Sequence, residues 1–180
     1  MALTDIAHQS ILDHFLPGTL RQSVDATCGN GHDTLFLAQH TQHRVWAFDV
    51  QAKAISATRQ RLEAAGFDHV QLVNDGHQQL ANHVDGEVDC VMFNFGYLPS
   101  ADKTLTTQAE SSLLALNAAL TKLSAHGVMT LLCYPGHPAG EAETLAIRAW
   151  LQQLPKDILI NTHLSRNPST STPVLYVLNT

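Results

Sequence analysis

The chain has 180 residues, of which 44% are hydrophobic and 14% are charged, so it can bury one core and is not expected to be disordered. Its net charge of -6 argues against an overall basic protein, although a local basic patch would still allow contact with nucleic acid. Cys28, Cys90 and Cys133 lack the paired spacing of a metal site or a disulfide framework. We expect one cytoplasmic domain over residues 1–180, without signal peptide, membrane span or metal.

Hydrophobic periodicity and turn residues predict helices and strands that alternate along the chain. In chain order they are helix Thr4–Leu16, strand Ser23–Ala26, helix Asp33–His40, strand Arg44–Phe48, helix Ala52–Ala65, strand Val70–Val73, helix Gln78–Val84, strand Asp89–Phe93, helix Thr107–Ser124, strand Val128–Cys133, helix Glu141–Leu154, and strands Ile158–Leu164 and Val174–Leu178. The last two strands suit a hairpin. This order is typical of a doubly wound, Rossmann-like α/β fold with a mostly parallel seven-stranded sheet flanked by helices.

The first chemical signal is VDATCGNGHDT, Val24 to Thr34, where the first predicted strand ends and a helix begins. Ligands of open α/β sheets bind at this edge. Gly29 and Gly31 allow the backbone to approach a ligand closely, and the N–H groups at the helix start can face a polar or anionic group. Asp49 ends the second strand, where a carboxylate accepts hydrogen bonds from the ribose hydroxyls of a nucleoside.

Both nicotinamide dinucleotides and S-adenosylmethionine are bound in this way. The dinucleotide fingerprint requires a third glycine at the position of Thr34. That departure, and the acidic Asp25 before the glycines, favour S-adenosylmethionine; Asp33 and Thr34 are also expected at the cofactor. An NAD-dependent oxidoreductase and a non-catalytic nucleotide-binding module remain as alternatives.

The third strand leads into NDGHQ, Asn74 to Gln78, at the same edge of the sheet. Asp75 is a candidate acceptor for the exocyclic amine of adenine, and Gly76 or His77 would line the ring. A loop that caps a helix explains the same residues equally well.

The fourth strand leads into NFGYLPSADK, Asn94 to Lys103. It resembles the (Asn/Asp)-Pro-Pro-aromatic loop of amine methyltransferases, with Phe95-Gly96 in place of the two prolines. An amine attacks a sulfonium methyl only when it is neutral and its lone pair is aimed. The Asn94 side-chain oxygen and nearby carbonyls would take the amine hydrogens and set that direction, and Tyr97 would stack on a base. A simple strand-to-helix turn is the alternative.

The fifth strand leads into YPGHPAGE, Tyr134 to Glu141, in which Pro135 and Pro138 make a rigid loop. His137 would bind substrate or relay a proton there. A solvated loop histidine without a chemical role is the alternative.

Taken together, DATCGNGHDTLFLA, FDVQ, NFGYLPSADK and YPGHPAG resemble the YtqB-like family of rRNA methylases, which is linked to the MnmM-type tRNA methyltransferase. The matching segments extend from Asp25 to Gly140. The resemblance implies a Rossmann-like fold, S-adenosylmethionine as cofactor, and tRNA as partner. The implied substrate is the aminomethyl group on carbon 5 of 2-thiouridine at the wobble position, which would become methylaminomethyl.

The resemblance also implies site residues. At the cofactor these are Thr27, Cys28, Gly29, Asn30, Gly31, Asp49, Gln51 and His77, with Asn94 between cofactor and substrate. Near the substrate they are Asn94, Tyr97, Asp102, Lys103 and His137, with Gly96, Leu98, Pro99 and Tyr134 lining the loops. The chain departs from the family in reading Ser100-Ala101 where Gly-Gly is common, and in ending LYVLNT.

The target of methylation stays open at this point among tRNA, rRNA, a small molecule and a protein amine. The chain has only ten Lys and Arg residues to neutralise phosphates. A basic patch would have to be drawn from Arg21, Lys53, Arg59, Arg61, Lys103 and Arg166, and a homodimer would be one way to assemble it.

Overall fold

The structure is a computed structural model that describes residues 1–96, 109–165 and 168–180. The helices are α1 (Leu3–His14), α2 (His32–His40), α3 (Ala52–Ala65), α4 (Leu80–His83), α5 (Ala109–Lys122) and α6 (Pro138–Leu151), with a 3₁₀ turn over His77–Gln79. The strands are β1 (Gln22–Asp25), β2 (Arg44–Phe48), β3 (Val70–Val73), β4 (Val88–Asn94), β5 (Leu123–Cys133), β6 (Leu159–Leu164) and β7 (Val174–Asn179).

The strands form one sheet in the order β3-β2-β1-β4-β5-β7-β6. The first five strands are parallel, and β7 runs antiparallel between β5 and β6. The predicted α/β fold with a mostly parallel seven-stranded sheet is therefore confirmed, as is the hairpin of the last two strands. The order reverses direction between β1 and β4, which is where open sheets of this kind bind ligands.

The central strands β4 and β5 are largely buried on both faces of the sheet, as their continuous apolar runs predict. One face packs against α4, α5 and α6 through a cluster that includes Phe48, Phe93 and Leu116. The other face packs against α1 and α2 through Ile11, Leu37 and Met92. The strand ends that carry the motifs are thus held on a rigid layer between two sets of helices.

The start of β5 differs from the prediction. Helix α5 ends at Lys122 rather than Ser124, and β5 begins directly at Leu123 rather than Val128. Leu123 pairs with Val88, and the register then shifts before Cys90. The residue in that irregularity, Asp89, accepts hydrogen bonds from the backbone N–H groups of Arg21 and Gln22, which secures the entry to β1.

The start of α6 also differs, since it begins at Pro138 rather than Glu141. His137 is the N-cap, and its Nδ1 accepts a hydrogen bond from the Gly140 N–H at 3.1 Å. Proline at the first helical position needs no N–H partner, so the turn and the helix start are one unit. In the described parts of the chain, no helix has the length and apolar character needed to cross a membrane.

Candidate active site

The predicted site residues lie along one edge of the sheet. Asp25 ends β1, Asp49 follows β2, Asp75 follows β3, Asn94 ends β4 and Tyr134 follows β5. Because these strands are parallel and adjacent, their carboxyl ends meet at this edge. The predicted Tyr97, Leu98, Pro99, Asp102 and Lys103 lie outside the described residues, as does Arg166.

The loop after β1 is built around the buried carboxylate of Asp25. Its Oδ2 accepts from the Thr34 hydroxyl at 2.5 Å, and its Oδ1 accepts from the Thr27 N–H at 3.1 Å. Thr34 stands where a dinucleotide site has its third glycine. In this structure its hydroxyl donates to Asp25 from the first turn of α2.

Two contacts tie the same loop to β2. The Cys28 N–H donates to the Phe48 carbonyl at 2.8 Å, and the Gly29 N–H donates to Asp49 Oδ2 at 3.1 Å. The Cys28 side chain is buried in a small cluster with Ala47 and Ile55, away from water. Burial raises the pKa of its thiol, and the backbone N–H and carbonyl of Cys28 already bond Phe48 and Gly31. Asn30 is exposed, and its carbonyl accepts from Arg61 Nε at 2.8 Å.

Gly31 caps α2 with a φ of 78°, a conformation that favours glycine. A Cβ atom at this position would lie 2.9 Å from the Cα and Oγ1 atoms of Thr58 on α3. From the sequence, Gly31 is expected to allow the backbone to approach a ligand closely. The structure shows that α3 also requires a glycine here.

Asp49 has the geometry of an acceptor that is only partly used. Its Oδ1 accepts from the Gln51 N–H at 2.9 Å, and its Oδ2 accepts from Gly29. The side chain is half-buried, and burial raises the pKa of its carboxyl while the two backbone donors oppose that rise. Each oxygen keeps a further lone pair for an incoming hydroxyl. Gln51 itself precedes α3, and its carbonyl accepts from Ala54 and Ile55.

The loop after β3 contains Asp75, whose carboxylate is hydrogen-bonded, and the buried His77. Asp75 accepts from the Gly76 N–H at 2.7 Å and pairs with His83 Nε2 at 3.0 Å, and the His83 contact chiefly lowers the pKa of its carboxyl. His77 is buried with its ring edge-on to Phe93 and Phe95. Burial lowers the pKa of His77 to about 4, and its Nε2 is buried with no hydrogen-bond partner among the described residues.

Among the described residues, two contacts hold Asn94. Its N–H donates to Thr27 Oγ1 at 2.8 Å, which joins the β4 loop to the β1 loop, and its Nδ2 lies 3.4 Å from Asp33 Oδ2. The other oxygen of Asp33 accepts from His8 Nε2 at 2.7 Å. His8 lies on α1 and was not among the predicted site residues. The chain has eleven histidines, and nothing in the sequence around His8 marks it as a site residue.

The YPGHPAG segment is a tight turn at the same edge. A Cβ atom at Gly140 would collide with the Tyr134 carbonyl oxygen and the His137 ring, so the turn closes only with glycine there. Tyr134 lies beside Gly96, 3.6 Å from where a Cβ would be. Burial, and then the nearby Asp33, raise the pKa of its hydroxyl. Since Nδ1 of His137 caps α6, that atom is already used, and the predicted proton relay would have to use Nε2.

The carboxylates of this edge do not ionise alike. Burial, followed by the charge of Asp33, raises the pKa of Asp25 to about 7. Asp33 and Asp49 lie close enough to add to the negative potential around it. A ligand that carries positive charge would therefore be favoured here, and S-adenosylmethionine carries it on its sulfonium and amino groups.

Residues 45–179 match the family model described as "Putative rRNA methylase". The chain belongs to this family. Over 145 residues it is 36% identical to the "tRNA (mnm(5)s(2)U34)-methyltransferase, chloroplastic" of Arabidopsis thaliana. The match covers 73% of this chain and 53% of that protein, so the chain spans about half the length of this relative.

Solved structures extend the likeness over nearly the whole chain. A "putative rRNA-methylase" from Clostridium thermocellum is 34% identical with a TM-score of 0.91, covering 98% of this chain and 96% of that one. A "putative methyltransferase" from Streptococcus mutans in complex with S-adenosylhomocysteine is 30% identical with a TM-score of 0.88, covering 99% and 98%. These likenesses confirm the predicted class I fold and the predicted class of enzyme, an S-adenosylmethionine-dependent methyltransferase. They speak against the alternatives of an oxidoreductase and a non-catalytic binding module.

Gly31 and Gly66 offer a matched test of the loop packing. Both have a φ of 78°, but nothing lies within 4 Å of a Cβ at Gly66. Gly66→Ala should therefore cost only the backbone strain, about 1 kcal/mol of unfolding free energy. Gly31→Ala should cost about 1–3 kcal/mol more, because its methyl group meets Thr58. Urea unfolding of both variants measures the difference, and equal losses would contradict the contact.

The raised pKa of Asp25 predicts a pH-dependent affinity. A folded carboxyl that titrates near 7 instead of 3.8 holds its proton more tightly than the unfolded chain does. The ligand-free fold should therefore lose stability as pH rises from about 4 to about 7. A cationic ligand favours the ionised form, so affinity for S-adenosylmethionine should rise across the upper part of that range, with proton release.

Calorimetry between pH 6 and 8.5, in two buffers of different ionisation enthalpy, measures this dependence. Asp25→Asn should lose the part of it that Asp25 contributes, whereas Asp75→Asn should keep it, because the pKa of Asp75 is already low. The ligand's own titration is common to all three proteins. A wild type and an Asp25→Asn variant with the same pH dependence would exclude Asp25 as its source.

Proposed function

We propose that this methyltransferase N-methylates the 5-aminomethyl group of 2-thiouridine at the wobble position of tRNA. The observation that carries the proposal is the orientation of Asn94. Its amide nitrogen is turned toward Asp33, and no described residue donates to its Oδ1, which can therefore accept a hydrogen bond from an amine. The name of the Arabidopsis relative, which is a tRNA (mnm(5)s(2)U34)-methyltransferase, supports the same substrate.

The residues that would hold the cofactor follow from their free acceptors and donors. Asp49 would accept from the ribose hydroxyls, and Asp75 would accept from the exocyclic amine of adenine, with the buried ring of His77 beside it. The loop of Thr27 to Gly31 would line the methionine part, with the negative potential of Asp25 and Asp33 around the cationic end. When bound, S-adenosylmethionine supplies a methyl group on a positively charged sulfur.

The chemistry demanded of the protein is control of the amine. An alkyl amine is mostly protonated near neutral pH, and the ammonium form has no lone pair to attack with. The ammonium must therefore release one proton to water before the N–C bond forms. Asn94 Oδ1 would accept a hydrogen bond from one of the two remaining N–H groups and so direct the lone pair. Because the amide is neutral, it stabilises the ammonium form less than a carboxylate would.

Contact with tRNA is part of the proposal. Arg21, Lys53 and Arg59 are exposed, whereas Arg61 is held by the Asn30 carbonyl and His32. So few cations suit a small footprint such as an anticodon loop better than a long duplex. A homodimer would double their number and stays a prediction.

Asn94→Ala tests the proposal. Single-turnover methylation of tRNA that carries 5-aminomethyl-2-thiouridine should slow by roughly a hundredfold or more, because the amine loses its orientation. Affinity for S-adenosylhomocysteine should stay largely intact, since the backbone of Asn94 still bonds Thr27. Asn82→Ala, an exposed asparagine on α4, is the matched control and should react like the wild type.

Equal rates for wild type and Asn94→Ala would show that this loop does not orient the amine. A wild type that methylates ribosomal RNA and leaves aminomethyl tRNA unchanged would reject the substrate assignment. Mass analysis of the nucleosides identifies the product in either case.

A further inference from the structure

Helix α1 covers the site from the side of α2. Ala7 and Ile11 are buried in the cluster that packs on β4, β5 and β7, which fixes the rotation of the helix. His8 follows directly after Ala7, and its ring lies flat on Phe36 with centroids 3.8 Å apart and planes within 2°. The imidazole is thus held by packing, and its Nε2 has a defined direction.

That direction leads to Asp33. His8 Nε2 donates to Asp33 Oδ1 at 2.7 Å, and the two side chains are only 26% and 14% exposed. The second oxygen of Asp33 faces Asn94 Nδ2 at 3.4 Å. His8, Asp33 and Asn94 therefore form a chain of contacts from α1 through α2 to the end of β4. It ends at the amide proposed to orient the substrate.

The charges around Asp33 show what His8 contributes. Asp25 and the Tyr134 hydroxyl lie near enough for Asp33 to raise the pKa of both. The neighbouring His40 contacts the ring of Phe36 and has no ion pair with Asp33 among the described residues. Among the described residues, His8 is the one that lies within ion-pair distance of Asp33. Without it, Asp33 would face a substrate ammonium with no competing donor on Oδ1.

We propose that His8 is a positioning residue for methyl transfer: by donating to Asp33 it holds the carboxylate against Asn94 and keeps it from pairing with the substrate ammonium. This inference rests on the proposed amine substrate. A free Asp33 would stabilise the protonated amine, which is the form that cannot attack, and would let the Asn94 amide rotate. The loss of His8 should therefore lower turnover more than binding.

Two substitutions separate the hydrogen bond from the packing. His8→Gln keeps an N–H donor at similar reach, and His8→Leu keeps an apolar group on Phe36 but cannot donate. With aminomethyl tRNA, His8→Leu should lower kcat by about tenfold or more, leave KM unchanged or lower, and move the rise of the pH–rate profile to higher pH. His8→Gln should restore most of kcat. Both should bind S-adenosylhomocysteine like the wild type.

Equal kcat values and pH profiles in wild type and His8→Leu would overturn the inference. Equal losses of kcat in His8→Leu and His8→Gln would also overturn it, because they would assign His8 to packing alone. Nitrogen-15 NMR of the His8 imidazole gives a reading that needs no substrate: Asp33→Asn should shift its signals, and unchanged signals would also overturn it. A wild type that is inactive on this tRNA, but whose His8 signals respond to Asp33→Asn, would reject the proposed substrate and retain the contact.

Discussion

A carboxylate lies buried at the end of the central strand β1, and the active-site loops are arranged around it. Burying Asp25 is costly unless both its oxygens find donors. They find them within the next nine residues, in the Thr27 N–H and the Thr34 hydroxyl, so the loop must curl back on itself. Thr27 then accepts from the Asn94 N–H, which sets the distance between the cofactor loop and the β4 loop. One buried carboxylate thus connects the loop proposed to bind the cofactor to the loop proposed to face the substrate.

Under the proposed function, the two halves of the sheet have different roles. The ends of β1, β2 and β3 present carboxylates and the buried His77, a set suited to the sugar, base and positive charge of a nucleoside cofactor. The ends of β4 and β5 present an amide and an aromatic ring, which suit an uncharged amine on a flat base. Helix α1 joins the halves, because it packs on β5 and β7 and contacts α2 through His8.

Much of this arrangement is predictable from sequence, and the exceptions have one physical cause. The strands, the glycines and the residues Asp25, Asp49 and Asn94 follow from local patterns, because parallel strands bring their carboxyl ends to a common edge without further information. His8 and Thr58 were missed, since each meets the loop only after a separate helix has packed against it, 25 and 27 residues away from Asp33 and Gly31. The register shift at Asp89 depends likewise on a partner strand.

The position of β7 has a consequence for how the sheet is completed. This strand is last in sequence, yet it lies between β5 and β6 and forms every ladder that joins β6 to the sheet. During synthesis β6 emerges first and finds no partner, with Leu159, Ile160 and Leu164 exposed even in the finished fold. Only when β7 has paired with β5 does β6 acquire a neighbour. Until then the chain carries an unpaired strand with three exposed apolar side chains, which is a liability for pairing with other chains.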